Sequence, residues 1–298
     1  MLKNVFFILL IANCFQLKAQ TSGAVMDSLG MPIPYVNIWV DGENIGTTSE
    51  EDGTFTLNSS EEKVLVFYAV GFTTKKVNSL DVKTVILKAS LNKLEEVNVF
   101  KRKGTEEIVI GKFKKKDIKS FRLSTTEPLI MATKIEPSSE VEKHPFIKAI
   151  SFATYSNLEN AKVNLRFFEV DKEGNPGNDF LQQNVLVKIR KGRNSNTVVL
   201  DTINLKLPKE GIFIAVEWLI IEDNKFEKVL KYGDNLEYSE THNLYQPGVG
   251  LTSGLTQKTW FFAKGRWIKE DKQENNLYFN PATDNRYEYI AISLKLTN

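Results

Sequence analysis

The sequence predicts an all-β protein in two units: a small sandwich first, then a larger, jelly-roll-like β-sandwich. Three observations carry that expectation. Residues between Pro34 and Val40 alternate, with Val36, Ile38 and Val40 on one side and Tyr35, Asn37 and Trp39 on the other. This is the two-residue period of a strand with one buried face. From Leu129 onward about eight runs read as strands, with no amphipathic helix of useful length between them. Glycine and proline fall between the runs, where turns are needed.

The first unit is expected over residues 20–90. Pro32 and Pro34 stand at the start of the 34–40 strand, where a missing N–H costs least. Asp41-Gly42 ends that strand, and Thr47-Thr48-Ser49 forms a short polar one. Asp52-Gly53 then turns the chain into Thr54–Leu57, with Phe55 and Leu57 on one face. Lys63–Val70 is almost continuously apolar, which predicts a central strand buried on both faces.

The order Gly23, Val25, Asp27, Gly30, Pro32, Pro34, then Gly46-Thr47, Asp52-Gly53, Phe55 and Gly71-Phe72 resembles the carboxypeptidase-regulatory-like domain. That domain is common in exported proteins of the Bacteroidetes, including at the front of TonB-dependent receptors. The resemblance runs from Gly23 to Leu87 and implies a seven-stranded transthyretin-like sandwich. It implies no peptidase activity, because many unrelated proteins carry the domain.

Residues 1–19 place Lys3 ahead of the apolar run Val5–Ala12 and end in Leu17-Lys18-Ala19, the pattern of a secretory leader cleaved after Ala19. The run is too short to span a bilayer. Cys14 is an alternative lipidation point, although Asn13 departs from the lipobox pattern. Cleavage removes the single cysteine, so each unit must then be held together by its own core without disulfides. It also removes two lysines and leaves 37 basic against 37 acidic residues. A chain with no net charge is not built to bind nucleic acid or an anionic membrane as a whole. The expected location is the periplasm or the outer membrane, with the cell surface as a further option.

Residues 91–128 are expected as a linker and an edge strand. Leu94–Val99 resembles the segment that joins the regulatory-like domain to the plug of TonB-dependent receptors. Fewer than two hundred residues follow it, too few for a plug and a barrel of about twenty-two strands. Lys101–Lys119 holds eight basic and three acidic residues, which suits a solvated edge strand guarded by lysine.

The second unit is expected over residues 129–298. Its strands are Phe146–Tyr155, Ala161–Val170, Val185–Arg190, Thr197–Leu205, Gly211–Ile221, Lys258–Phe262, Arg266–Ile268 and Tyr287–Leu296. Alternation is clearest where Val163, Leu165 and Phe167 oppose Lys162, Asn164 and Arg166. The run Arg166–Asp171 leading into Gly174-Asn175-Pro176-Gly177, with the later Glu217-Trp218, resembles an uncharacterised family of Bacteroidetes envelope β-sandwiches. That resemblance brings no activity with it.

No catalytic residues emerge. His144 and His242 have no partner at metal-ligand spacing, and Gly-x-Ser-x-Gly, Walker and dinucleotide fingerprints are absent. Glu217, an acid within an apolar strand, is the one carboxylate whose surroundings would suit a general acid. Asp171, Glu173, Asn175 and Asp179 offer oxygen ligands in one turn, as a calcium loop would, although Pro176 stands where an EF-hand has glycine. The aromatics Tyr35, Trp39, Trp218, Trp260 and Trp267 are candidates for contact with a glycan or a protein partner. Tyr35 and Trp39, facing away from Val36 and Ile38, are expected to pack against the second unit or a partner. The function these readings suggest is a non-catalytic envelope protein, binding or structural. The alternative is a carbohydrate-active hydrolase with a carboxylate site in the second unit.

Overall fold

The computed structural model describes residues 20–59, 62–90, 104–232, 238–270 and 286–298. The expected leader 1–19 with Cys14, and the segment Leu94–Val99, lie outside them.

The first unit contains β1 (Thr21–Met26), β2 (Asn37–Val40), β3 (Gly46–Thr48), β4 (Thr54–Leu57), β5 (Val64–Tyr68), β6 (Lys75–Asn78) and β7 (Thr84–Ile86). They form two sheets, ordered β4-β1-β7 and β3-β2-β5-β6. Val25, Phe55 and Val85 from one sheet pack on Ile38, Leu65 and Phe67 from the other. The alternation at residues 36–40 thus fixes which face is core. The strand itself starts at Asn37 rather than Pro34, because Tyr35 turns with φ 60°. Its N–H donates to Ser49 O at 3.1 Å, and the N–H of Val36 donates to Ser49 Oγ at 2.8 Å.

The second unit contains β8 (Glu107–Ile110), β9 (Ser120–Ser124), β10 (Ile130–Ile135), the one-turn helix α1 (Ser139–Lys143), β11 (Phe146–Ser156), β12 (Ala161–Val170), β13 (Pro176–Asp179) and β14 (Val185–Ile189). It continues with β15 (Gly192–Val199), β16 (Ile212–Trp218), β17 (Lys225–Tyr232), β18 (Tyr238–Gly254), β19 (Thr259–Ala263), β20 (Arg266–Lys269), β21 (Tyr287–Ile290) and β22 (Ile292–Thr297). One sheet runs β13-β12-β16-β10-β19-β20, with β14 also on β12. The other runs β17-β18-β11-β22-β8, with β15 on β11 and both β9 and β21 on β18. Phe152, Leu165, Phe167, Ile214, Trp218 and Leu294 fill the space between the two sheets.

Three expectations need correction. The segment read as a linker and one edge strand supplies two strands to the second unit, β8 at a sheet edge and β9 on β18. The strand expected at Thr197–Leu205 starts at Gly192 and ends at Val199, and a single 3-10 turn over Asp201–Ile203 follows. The strands β10, β13, β17 and β18 were not expected, and β13 lies in the stretch read as a turn. Strand β18 runs through Pro247, Gly248 and Gly250. In the fold, a Cβ on Gly250 would lie 2.8 Å from the Cβ of Ala153, and one on Gly248 3.1 Å from the Cβ of Phe121. The glycines therefore admit neighbouring strands rather than ending this one.

The largest departure concerns β12 and β16, whose residues are buried on both faces. Val163, Leu165 and Phe167 face the core as alternation requires. Lys162, Asn164 and Arg166 face the outer side of the β3-β2-β5-β6 sheet, not water. The two units thus stack as four β layers, with a polar seam in the middle. At one end of the seam the N–H of Thr48 donates to Ile220 O at 3.3 Å and the N–H of Ile220 to Thr48 Oγ1 at 2.9 Å. At the other end the rings of Trp39 and Phe262 meet edge to face, with centroids 5.6 Å apart.

Candidate functional site

The seam carries an ionic network. From β12, Arg166 donates through Nη1 to Glu217 Oε2 on β16 at 3.0 Å and through Nε to Asp179 Oδ1 on β13 at 3.1 Å. A further bond runs from Nη2 to Tyr68 OH on β5 at 2.5 Å, and Tyr68 in turn donates to Asp179. Glu217 also accepts from Asn37 Nδ2 of the first unit at 3.1 Å and from Asn164 Nδ2 at 2.9 Å. The guanidinium carbon lies 5.0 Å from the ring centroids of both Tyr68 and Phe168. Burial works against the Arg166 charge, but Glu217, Tyr68 and Asp179 outweigh it and move its pKa further up. Burial likewise lifts the Tyr68 phenol well above the ordinary tyrosine value. Arg166 offsets part of that lift and Asp179 adds to it.

Beside this network the seam opens into a cleft of about 620 Å³, lined by both units. Trp39 and Tyr68 come from the first unit, and Phe168, Phe262 and Trp267 from the second. Asn178, Gln182 and Lys264 add polar groups, and the cleft's two carboxylates, Asp41 and Asp179, are paired to Lys76 and Arg166. Trp267 meets Phe168 edge to face at 5.0 Å and Phe262 at 5.3 Å. Trp39 Nε1 is buried beneath Gly265 of the β19–β20 turn, with no hydrogen-bond partner among the described residues.

The five aromatics singled out from the sequence separate into distinct roles. Trp39 and Trp267 line the cleft. Tyr35 does not: it is buried with Leu219 and Ile221, and the Lys162 ammonium sits 5.7 Å from its ring centroid. Tyr35 and Trp39 thus both pack against the second unit. Trp218 belongs to the inter-sheet core, where its Nε1 donates to Pro247 O at 2.8 Å. Trp260 is buried against Phe213 at 4.8 Å and donates to Asn175 Oδ1 at 3.0 Å. The latter two tryptophans offer no platform, because both indole faces are covered by protein.

The proposed calcium turn is also occupied by protein contacts. Asp171 Oδ1 accepts from the N–H of Glu173 at 2.9 Å and of Asn175 at 2.8 Å. Asn175 Oδ1 serves Trp260, and Asp179 serves Arg166 and Tyr68. The four oxygen-bearing side chains do not converge, and among the described residues no three His, Cys, Asp or Glu side chains could hold a metal ion. Sequence reasoning flagged Glu217 but missed its partner, and it missed Tyr68 and Phe168 altogether. An acid in an apolar strand was the available signal. Its answering charge, Arg166, looked like one of several polar residues on a solvated face.

The first unit has the strand order and core described above, and residues 21–99 match the family model described as CarboxypepD_reg-like domain. The N-terminal sandwich is a CarboxypepD_reg-like domain. The chain is 36% identical over 124 residues to the TonB-dependent receptor P3 of Formosa agariphila, a match that covers 39% of this chain and 12% of the receptor. It is 33% identical over 90 residues to the TonB-dependent receptor P39 of the same organism, covering 29% of this chain and 9% of that receptor. The chain thus spans about a tenth of the length of these curated relatives. Here the outer face of the CarboxypepD_reg-like domain, with Asn37, Trp39 and Tyr68, is taken up by the second sandwich of the same chain. Among the described residues no helix is long and apolar enough to cross a membrane.

Proposed function

We propose that this chain is an exported, non-catalytic binding protein of the cell envelope. Its ligand is a glycan, held in the cleft between the CarboxypepD_reg-like domain and the second sandwich. The observation that carries this reading is the lining of the cleft, where aromatic side chains from two units meet amide and charged groups. Sugar rings have apolar C–H faces that stack on aromatic rings, and hydroxyl edges that need such polar partners. The volume suits a few sugar rings. The envelope setting is supported by the two receptor relatives and by the leader-like residues 1–19. The non-catalytic reading is supported by the buried ion pairs at Asp179 and Glu217, since a carboxylate locked to a cation is poorly placed to trade protons.

The test is calorimetric titration of the full chain with cello-, laminari- and chito-oligosaccharides of several lengths, alongside a glycan array. A sugar that binds the natural protein should bind Trp267→Ala at least tenfold more weakly, measured at a temperature where the variant remains folded. If no sugar binds, or if Trp267→Ala binds as well as the natural protein, the cleft is not a glycan site. Capture of an outer-membrane protein that does not depend on Trp267 would point to another surface. Hydrolysis of a bound sugar would overturn the non-catalytic reading.

A further inference from the structure

We propose that Glu270 is a proton-operated latch on the β19–β20 hairpin. With its carboxyl neutral it holds the hairpin against the neighbouring sheet, and with its carboxylate ionised it lets that hairpin loosen. The hairpin matters because Phe262, Lys264, Gly265 and Trp267, one wall of the cleft, all stand on it.

Glu270 follows directly on β20, and its N–H donates to Thr259 O of β19 at 3.0 Å. Thr259 is also paired to Thr133 of β10, so Thr133, Thr259 and Glu270 lie side by side on the face turned toward the other sheet. Across the gap stands β21. There the N–H of Glu288 donates to Glu270 Oε1 at 3.3 Å, and Thr259 Oγ1 donates to Glu288 O at 2.7 Å. These bonds join the β19–β20 hairpin of one sheet to β21 of the other.

The cluster is unfinished. Glu270 is 8% exposed, yet its Oε2 has no hydrogen-bond partner among the described residues. Thr133 Oγ1 and Gln257 Oε1 are likewise buried and unpartnered. Gln257 is held beside them, its Nε2 donating to Thr259 O at 2.5 Å. When ionised, Oε2 is a buried charged oxygen with no donor to meet it among the described residues, and a proton there removes that cost.

The charged and titratable groups around Glu270 favour the same switch. Glu288 and Tyr289 face it from β21 and Arg122 from β9, while Lys258, just before β19, lies over the Tyr289 ring. Arg122 is already committed to Glu288, with Nη2 2.6 Å from Oε2. An ionised Glu270 therefore adds a second carboxylate to a site whose near cation is taken. Burial, with the Glu288 charge added, pushes the Glu270 carboxyl up to about 7, against opposing contributions from the Glu288 N–H and Arg122. The folded carboxyl keeps its proton to about 7, whereas its ordinary value is 4.5. The folded state thus carries more protons between those values, and its stability falls as pH rises through that window.

The experiment uses the full chain, natural and Glu270→Gln, and does not depend on a ligand. Between pH 5 and 8 the natural protein should lose melting temperature, and amide exchange over residues 259–270, corrected for intrinsic rate, should speed up. Glu270→Gln keeps the site neutral and supplies a donor, so both trends should flatten. Equal slopes in the two proteins, or exchange in the hairpin indifferent to pH, would overturn the latch. If Glu270→Gln fails to fold, Glu288→Gln serves instead: it removes the neighbouring charge and should move the transition to lower pH, and an unmoved transition counts against the latch.

The consequence for ligand affinity rests on the glycan reading of the cleft. The neutral fraction falls about tenfold between pH 6 and pH 8, so the affinity of an oligosaccharide that needs the closed hairpin should drop by up to about tenfold. A flattened melting slope in Glu270→Gln with no sugar bound at either pH upholds the latch and removes the glycan reading alone.

Discussion

Arg166 Nη1 lies 3.0 Å from Glu217 Oε2, and each side chain is only 3% exposed. The pair sits on two strands of the second sandwich and is covered by the first. Asn37 and Tyr68 of the CarboxypepD_reg-like domain complete its hydrogen bonds. A charge pair in this position helps fix how the two sandwiches face each other, because any other docking strands it without partners.

The two halves of the pair should respond unequally to mutation. Arg166→Met leaves both Glu217 and Asp179 buried without their cation and is expected to cost about 3–5 kcal/mol. Glu217→Gln leaves Arg166 its bonds to Asp179 and Tyr68 and should cost clearly less. Urea denaturation of both variants measures the difference, and an equal loss would show that Asp179 contributes nothing.

Tyr68 should govern the alkaline limit of the seam. Its phenol is held above the ordinary value of 10, so the folded state keeps a proton that the unfolded chain releases. Stability is therefore expected to fall as pH rises beyond about 10. In Tyr68→Phe this contribution disappears, while loss of the bonds to Arg166 and Asp179 lowers stability near neutrality by about 1–2 kcal/mol. Melting curves from pH 7 to 11 on both proteins give the two effects separately.

Gly46 is a close-approach point between the units. A Cβ there would lie 2.2 Å from Pro128 Cγ and 2.5 Å from Ile38 O. Gly46→Ala should therefore push the seam apart at a cost of about 1–3 kcal/mol. Amide exchange at Thr48 and Ile220, whose N–H groups bond across the seam, is the readout: it should speed up, and unchanged exchange would mean the contact is slack.

Trp39 separates packing from hydrogen bonding. Trp39→Phe keeps an aromatic ring against Phe262 while deleting the unpartnered Nε1–H, so its packing loss should be offset and leave stability within about 1 kcal/mol. Trp39→Ala removes the ring as well and should cost about 3–5 kcal/mol. Equal losses in the two variants would show that Nε1 has a partner after all.

Calcium is expected to leave the melting temperature unchanged. Asp171 already accepts two backbone N–H bonds, and Asp179 is tied to Arg166. A calcium-dependent rise abolished by Asp171→Asn would restore the turn as an ion site.

In the first sandwich β2 to β5 were readable from the residues alone, while β1, β6 and β7 were not, and most strands of the second were readable in the same way. Alternation at Val36, Ile38 and Val40, and at Val163, Leu165 and Phe167, records which face meets oil, and Gly42 and Gly53, with φ near 78°, mark turns that other residues rarely make. These are local signals, written within a few residues of where they act. Only the tertiary structure decided what covers the opposite faces. Lys162, Asn164 and Arg166 follow the same polar pattern whether water or another sandwich lies over them, so a buried seam leaves no periodic trace. The partners that make it are remote in sequence: Asn37 reaches Glu217 across 180 residues, and Tyr68 reaches Arg166 across 98. The aromatic cleft and the Glu270 cluster arise in the same way, where strands distant in the chain are brought edge to edge by the packing of their cores.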